Sequence, residues 1–453
     1  MCGGRSQGRC GVGAPDKVPW AVASYLILHI ISHTGGIRDQ TGRLANEFTR
    51  GGEAMTSRRA VTPLDRWRGL AVFFIGALAL GAGTSAATAL GAAPDYGPLF
   101  RQAVQPPPGD QAAQLAYYKA WAQRAQQPAT FDSFGGKPPV HIAKNKRIMI
   151  IICTAKGQGC VLQGEGGKQA ATAVGWRYTE VDGQGSGQVE SNAIEQAIVQ
   201  RYDGIYMAVV DRNTVASALA HAHKAGIPVV TSISGNTPGG DLFASVDAPD
   251  FEVGRRLAAW AIADANGKPV KAAAIYLSLA GVNLFRAQGF VAQMKVCGSC
   301  TLLEAPLDYT IQTINSLPAR VSSLIQAHPD MNYIFMDVGP WVTYIVQGMS
   351  NVKALAQNIT ILSTDCVPDQ LARMAARKPF REICDGYASI QAGWGAVDEL
   401  NRGMQGRPRG GNKVAIQLFT SDNMNQIKQP TTIGYDVDNL NYRALYLQSW
   451  GLK

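Results

Sequence analysis

KRIMIIICTAKGQGCVLQGEGGKQAATAVGWRYTEVD, residues 146–182, decides the fold of this chain. Residues 148–152 are an unbroken apolar run, Gly157-Gln158-Gly159 makes a loop, 167–174 is Ala-rich and helical, and 176–182 reads as a second strand. The cycle repeats at once, with a helix near 191–201, a strand at 204–210, a helix at 213–225 and a strand at 227–232. Short buried strands alternating with helices require right-handed βαβ crossovers and a parallel sheet covered on both faces. Ligands of such sheets bind at the loops beyond the carboxyl ends of the strands. Function is therefore to be sought in those loops.

The alternation continues after Asp250. Helices are expected at 251–265, 283–296, 311–327, 368–377 and 391–404, and strands at 271–278, 301–305, 333–337, 359–364 and 382–387. About ten strands exceed one comfortable open sheet, so two lobes are expected. A helix at 111–127, bracketed by Pro106-Pro107-Pro108 and the Gly/Pro-rich 134–139, carries Tyr117, Tyr118 and Trp121 on one side. One amphipathic helix cannot make its own core, so it is expected to pack on the main body.

The formal charge of +9 is unevenly spread. Residues 1–93 hold 10 basic and 5 acidic residues, and the remainder holds 32 and 28, with no basic run or arginine–aromatic stripe. A nucleic-acid footprint is not expected. Arg58, Arg59, Arg66 and Arg68 precede the apolar run 70–80, and small residues follow up to Ala92-Ala93. A basic region, a short apolar core and small residues make a secretory signal peptide, and the run is too short and glycine-broken to span a membrane well. The 54 residues before Met55 then read as an over-extended start, with an anchor at 18–31 as the alternative.

Six cysteines follow, and an even number in an exported chain favours disulfides. Cys297 and Cys300 are close in sequence, Cys366 follows one strand and Cys384 lies in the next, and Cys153 with Cys160 has the least support. The Cys297-Gly298-Ser299-Cys300 spacing also suits a redox pair. It falls at a helix C-terminus, however, where the dipole disfavours a thiolate, and no second CxxC completes a zinc site.

From about Lys146 to the C-terminus the chain resembles the periplasmic solute-binding proteins of ABC importers, in the ribose-binding-protein and lactose-repressor-like (type I) group. The resemblance rests on Gly175-Trp176-Arg177-Tyr178, Tyr202-Asp203-Gly204-Ile205, the stretch from Ala222 to Val230, Arg286-Ala287-Gln288-Gly289-Phe290, Ala327-His328-Pro329-Asp330 and Thr364-Asp365-Cys366-Val367-Pro368-Asp369. It implies an α/β fold of two Rossmann-like lobes with parallel sheets, joined by a three-strand hinge near 248–250, 386–387 and 414–419. It also implies a small-molecule ligand between the lobes, an importer permease as partner, no enzyme activity, no cofactor, a periplasmic location and a monomer. The expected division is an upstream extension at 1–54, a signal peptide at 55–93, an N-terminal extension at 94–145, a first lobe of 146–249 with 387–415, and a second of 250–386 with 416–453.

Carried over by position, the family's first-loop Asn and two stacking aromatics become Gly157, Gly159 and Cys160. Its Asp-Arg pair becomes Ile233-Ser234, its second-lobe Arg becomes Leu284, its Asn after Phe335 becomes Val338, and its hinge Gln becomes Tyr387. The acid at Asp365 stays. A site built for hydroxyls loses heavily when its polar partners are missing. A simple pentose or hexose is therefore not the expected ligand. The candidate ligand-binding set is Gln158, Cys160, Asp211, Ser234, Asp250, Leu284, Phe285, Asp337, Trp341, Asp365 and Tyr387. Apolar walls with a few directional groups suit an aromatic or alicyclic body bearing hydroxyl or amine functions.

Other features read plainly. Gly157-Gln158-Gly159 lacks the third glycine of a dinucleotide loop, since Leu162 stands there. His221 and His223 point to different helix faces, poor geometry for a metal. Asp211 fits equally a cleft residue and part of the turn that Asn213 would cap, and Trp394 on its helix fits the core. No Ser/His/Asp set or carboxylate pair stands out.

Overall fold

The computed structural model describes residues 104–129, 137–277, 281–307, 314–427, 434–437 and 440–452, all within the compact unit Thr84–Lys453. The expected signal peptide at 55–93 and the expected upstream extension at 1–54 lie outside the described residues. The first element is α1 (Gln111–Ala125), where Asp110 caps the first turn by accepting from Ala113 N. Then come β1 (Arg147–Ile152), α2 (Gln158–Ala173), β2 (Arg177–Asp182), α3 (Gly187–Val199), β3 (Gly204–Ala208), α4 (Ala216–Lys224), β4 (Val229–Ser232) and β5 (Ala244–Val246). The apolar run of β1 is buried because it is a central strand, paired in parallel with β2 and β3. The sheet order is β2-β1-β3-β4-β5, all parallel.

The second half repeats the plan with α5 (Asp250–Ala265), β6 (Val270–Leu277), α6 (Gly281–Lys295), β7 (Cys300–Leu307), α7 (Leu317–Ala327), β8 (Tyr333–Met336), α8 (Val342–Asn351), α9 (Lys353–Ala356), β9 (Thr360–Asp365), α10 (Pro368–Ala376), β10 (Arg381–Tyr387), α11 (Ser389–Met404), β11 (Ile416–Phe419) and α12 (Tyr442–Ser449). Its sheet runs β11-β10-β9-β8-β6-β7, with only β11 antiparallel. The expected two-lobed α/β architecture is what the chain adopts.

Three segments cross between the sheets, at β5 to α5, at β10 to α11, and into β11. They are stitched together where Val414 N donates to Asp247 O at 3.2 Å and Ala388 N to Ala415 O at 3.0 Å. After β11 the chain crosses again. Helix α12 packs on α11, with Trp450 stacked on Trp394, its ring nitrogen donating to Asp398, and the Tyr446 hydroxyl donating to Asn412. The expectation that 416–453 stays with the second lobe is corrected to this extent: the aromatic face of α12 is buried against the first-lobe side.

Strand β5 and helices α8, α9 and α12 are not among the expected elements, and α2 starts earlier than expected. Strand β5 is only three residues long. Helix α8 is rich in β-branched residues, yet Val342, Ile345 and Met349 fall on one buried face. Helix α2 begins at Gln158 rather than near Gly167, carrying glycines that propensity alone would exclude.

The aromatic helix α1 does pack on the body, against α5. Arg256 Nη2 donates to Ala125 O, and Gln293 binds both Val104 and the Tyr118 hydroxyl. The six downstream cysteines form Cys153–Cys160, Cys297–Cys300 and Cys366–Cys384.

Candidate functional site

The carboxyl ends of the two sheets converge on one seam. On the first-lobe side, Val209 follows β3 with φ 60° and Ile233 follows β4 with φ 41°. On the second, Asp365 at the end of β9 has φ 73° and Cys366 has φ 49°. Left-handed backbone at β-branched residues is costly and persists only where the surroundings enforce it. The lobes touch at Gly235, where a Cβ would lie 2.8 Å from Val282 N and 3.0 Å from the Phe285 ring.

A guanidinium organises the second-lobe face. Arg286 on α6 donates from Nε to Asp250 Oδ1 at 3.1 Å, and from Nη1 to Asp337 O at 3.0 Å and Thr364 Oγ1 at 3.2 Å. It lies 3.4 Å from Asp365 Oδ1, and its carbon sits 4.4 Å from the centre of the Tyr387 ring. The Tyr387 hydroxyl donates to Asp250 Oδ1 at 3.0 Å, and Asp365 Oδ2 accepts from Gly339 N at 2.8 Å. Asp337 Oδ2 accepts from Leu277 N, tying β8 to β6. On the first-lobe side Asp247 accepts from Ser234 N and Gly235 N, fixing the loop that meets α6.

Burial dominates the electrostatics. It pushes Asp250 up to about 6, with the Arg286 charge pulling the other way. Asp337 rises to about 7 by burial, against the Leu277 N–H and Arg286. Asp247 rises to about 7 by burial, and the Asp250 charge adds to it. Burial opposes the Arg286 cation, but Tyr387, Asp365 and Asp250 outweigh it and raise its pKa. Several buried oxygens at these loops have no hydrogen-bond partner: Gln158 Oε1, Ser234 Oγ, Asp250 Oδ2 and Asp337 Oδ1. Buried polar atoms without partners cost free energy.

Most candidate residues from the sequence fall on this seam. Asp250, Asp337, Asp365 and Tyr387 gather around Arg286, and Ser234 adjoins Gly235. Phe285 meets the Gly235 loop, while Leu284 beside it is buried at 7 % exposure. Asp211 stands at the rim, with Oδ1 accepting from Asn213 N and Oδ2 3.9 Å from a Cβ built on Gly281. Two placements differ in kind. The Cys160 sulfur is bonded to Cys153, so it offers no thiol. The half-buried Trp341 packs against the second-lobe core.

Sequence reasoning passed over Arg286 and Asp247. The usual ligand-binding arginine was sought at position 284, two residues away. Arg286 is nonetheless conspicuous as a cation whose helix neighbours Leu284, Phe285 and Phe290 are apolar, because such a charge needs partners once buried. Among the described residues no group of metal-ligating side chains is assembled, and no helix is long and apolar enough to cross a membrane.

Two lobes of parallel sheet around a polar seam, joined by hydrogen-bonded crossing segments, define a type I periplasmic binding protein fold. The profile of the periplasmic binding protein domain matches residues 148–396, more than half of the chain, and the chain belongs to that family. It is 26 % identical over 217 residues to the ribose import binding protein RbsB of Bacillus subtilis (strain 168), covering 47 % of this chain and 68 % of that protein. Its fold matches a galactofuranose binding protein with a TM-score of 0.56 at 18 % identity, over 64 % of this chain and 100 % of the other. It likewise matches a Burkholderia graminis C4D1M ABC transporter solute binding protein in complex with D-arabinose, with a TM-score of 0.56 at 22 % identity, over 62 % and 97 %.

Proposed function

We propose that this chain is an exported solute-binding protein that captures a small molecule between its lobes by hinge closure and delivers it to the permease of an ABC importer. The observation that carries this reading is the seam itself, where strained strand ends and unpartnered buried oxygens from both lobes meet across hydrogen-bonded crossing segments. A ligand that binds the closed arrangement better shifts the population towards it, and the closed lobes present a surface to the permease. The mature chain is a periplasmic monomer released from its signal peptide. The ligand has an aromatic or alicyclic body rather than being a simple pentose or hexose, because Leu284 and Phe285 are apolar where a hydroxyl-binding site needs forks.

A sugar binder with a rearranged pocket is the second reading, favoured by what the names of the relatives say they bind: ribose, galactofuranose and D-arabinose. A sensor feeding a membrane receptor would share the same site. A receptor gene beside this one, in place of importer genes, would favour that role.

A thermal-shift screen of the mature chain, starting near Ala93, tests capture with sugars, polyols, amino acids and aromatic or alicyclic metabolites. A native-state ligand at about a hundred times its Kd stabilises by about 2.7 kcal/mol. Hits among aromatic or alicyclic compounds with sugars silent support the ligand assignment. A strong sugar hit keeps the importer role and overturns that assignment.

A further inference from the structure

We propose that the ligand carries a protonated amine, held by the carboxylates of Asp211, Asp250 and Asp365 with its carbon body against Phe285 and Leu284. This rests on the capture reading above and assigns its ligand a charge.

The charge count at the seam is lopsided. Asp211, Asp247, Asp250, Asp337 and Asp365 are gathered there, with the guanidinium of Arg286 among them. Arg212 is a second cation at the rim, its Nη1 donating to the neutral carbonyls of Thr237 and Gly239, which leaves five carboxyl groups to two guanidiniums. Arg286 is engaged through Nε with Asp250 and through Nη1 with Asp365, Thr364 and the Asp337 carbonyl. Burying more carboxylates than cations is unfavourable unless protons or another cation join them.

An independent observation points the same way. The Ser234 hydroxyl is not part of the acidic set, is 3 % exposed and has no partner. It stands in the loop that touches α6, with its carbonyl 3.6 Å from a Cβ built on Gly281. With it stand Gln158 Oε1, Asp250 Oδ2 and Asp337 Oδ1, which as amide and carboxylate oxygens accept only, while the Ser234 hydroxyl can accept or donate. A ligand that fits them brings donors. A neutral polyol brings donors too, but each of its hydroxyl oxygens also seeks a donor from the protein, and it leaves the net negative charge unanswered. An ammonium is three donors, no acceptor and a positive charge in one group. The aromatic ring of Phe285 beside the carboxylates completes a site with one polar and one apolar side.

The test uses the mature chain and matched pairs in which an amine replaces a hydroxyl: tyramine against tyrosol, 2-aminocyclohexanol against 1,2-cyclohexanediol, and glucosamine against glucose. Calorimetric titration and thermal shift at pH 7.5 read each pair. The expected result is at least a tenfold tighter Kd for the amine member of one pair. The preference should shrink about tenfold in Asp365→Asn and severalfold in Asp211→Asn. The second variant keeps the cap on Asn213 N and guards against misfolding at the strained Asp365. Equal or tighter binding of the hydroxyl member overturns the inference while leaving solute capture standing. An amine preference unchanged in both variants overturns the assigned residues. If every amine is silent the inference falls, and capture falls with it only when the wide screen is silent as well.

Discussion

Arg286 holds groups from four places in the chain: Asp250 at the start of α5, the Asp337 carbonyl after β8, Thr364 and Asp365 on β9, and the Tyr387 ring on β10. Removing one partner of a buried ion pair leaves the others uncompensated, which costs about 3–5 kcal/mol. Arg286→Met, similar in length, should lose stability of that order in urea unfolding, and Asp250→Asn in the same chain should recover part of it. Additive losses in the double variant would show that the two residues are not coupled. Asp337 supplies a second prediction. Its carboxyl is raised to about 7 from the usual 3.8, so between those limits it is protonated in the folded chain and ionised in the unfolded one. Its contribution to stability is therefore present at acid pH and is lost as pH climbs from about 4 through 7. Asp247 and Asp250 act in the same sense, and the facing groups that temper them are Arg286, Tyr387 and Ser245. Asp337→Asn should raise the Tm by several degrees at pH 8 and leave it nearly unchanged at pH 5. A uniform drop at both values would instead make the Leu277 N–H contact the dominant role of this side chain.

At the scale of elements, glycines set how near the helices come. A Cβ on Gly254 of α5 would lie 1.9 Å from Arg286 O, and one on Gly289 of α6 would lie 2.0 Å from Phe251 O. Gly254 sits one turn beyond Asp250 and Gly289 three residues beyond Arg286, so this backbone-to-backbone crossing is what lets the ion pair form. Helices α2 and α11 cross in the same way at Gly166 and Gly393, where a Cβ would meet Ile390 O at 2.0 Å and Gly167 N at 2.3 Å. Gly254→Ala should cost about 1–3 kcal/mol or more by forcing these backbones apart, read as a lowered Tm. Gly298→Ala, where nothing lies within 4 Å of the new Cβ, should stay near wild type. The same glycines explain what was legible in the sequence. The strands were readable because 148–152, 204–208 and 333–336 are apolar runs buried on both sides, and the two-lobed fold followed from their alternation with helices. The first half of α2 was not readable, since Gly164, Gly166 and Gly167 look like loop until the α11 backbone that needs them is known. Asp365 and Tyr387 were singled out by their match to positions of the family that the chain resembles, and the structure places both beside Arg286. Arg286 itself was not singled out for the site, because its role depends on a helix crossing that no local pattern reports.

At the scale of the whole molecule, the chain is tied across its lobes more often than by three crossing segments. Beyond them, α12 returns to α11, and the N-terminal extension holds both sides. Helix α1 is bound to α5, and residues 138–143 are bound to α11 and Trp450 through Asn401, Arg402 and Ile142. Under the proposed hinge closure, the face that opens is the one where the lobes only touch, the seam at Gly235. This glycine has φ 69°, and any Cβ there meets Val282, Phe285 and Gly281 at 2.8–3.1 Å. Asparagine tolerates left-handed backbone, so Gly235→Asn adds a wedge at the seam with little local strain. Gly226 is the matched control, with φ 72° and nothing within 4 Å of a Cβ. Small-angle scattering of the ligand-free chain should show a larger radius of gyration for Gly235→Asn and an unchanged one for Gly226→Asn. If the contact at Gly235 belongs to a face that opens and shuts, the wedge should also weaken any ligand found by the screen at least tenfold, while the control binds as wild type does. An unchanged radius and affinity in Gly235→Asn would mean that the loop yields locally and the lobes do not depend on this contact. The first outcome places the moving face opposite the tied one, which is the arrangement that a protein closing over a solute requires.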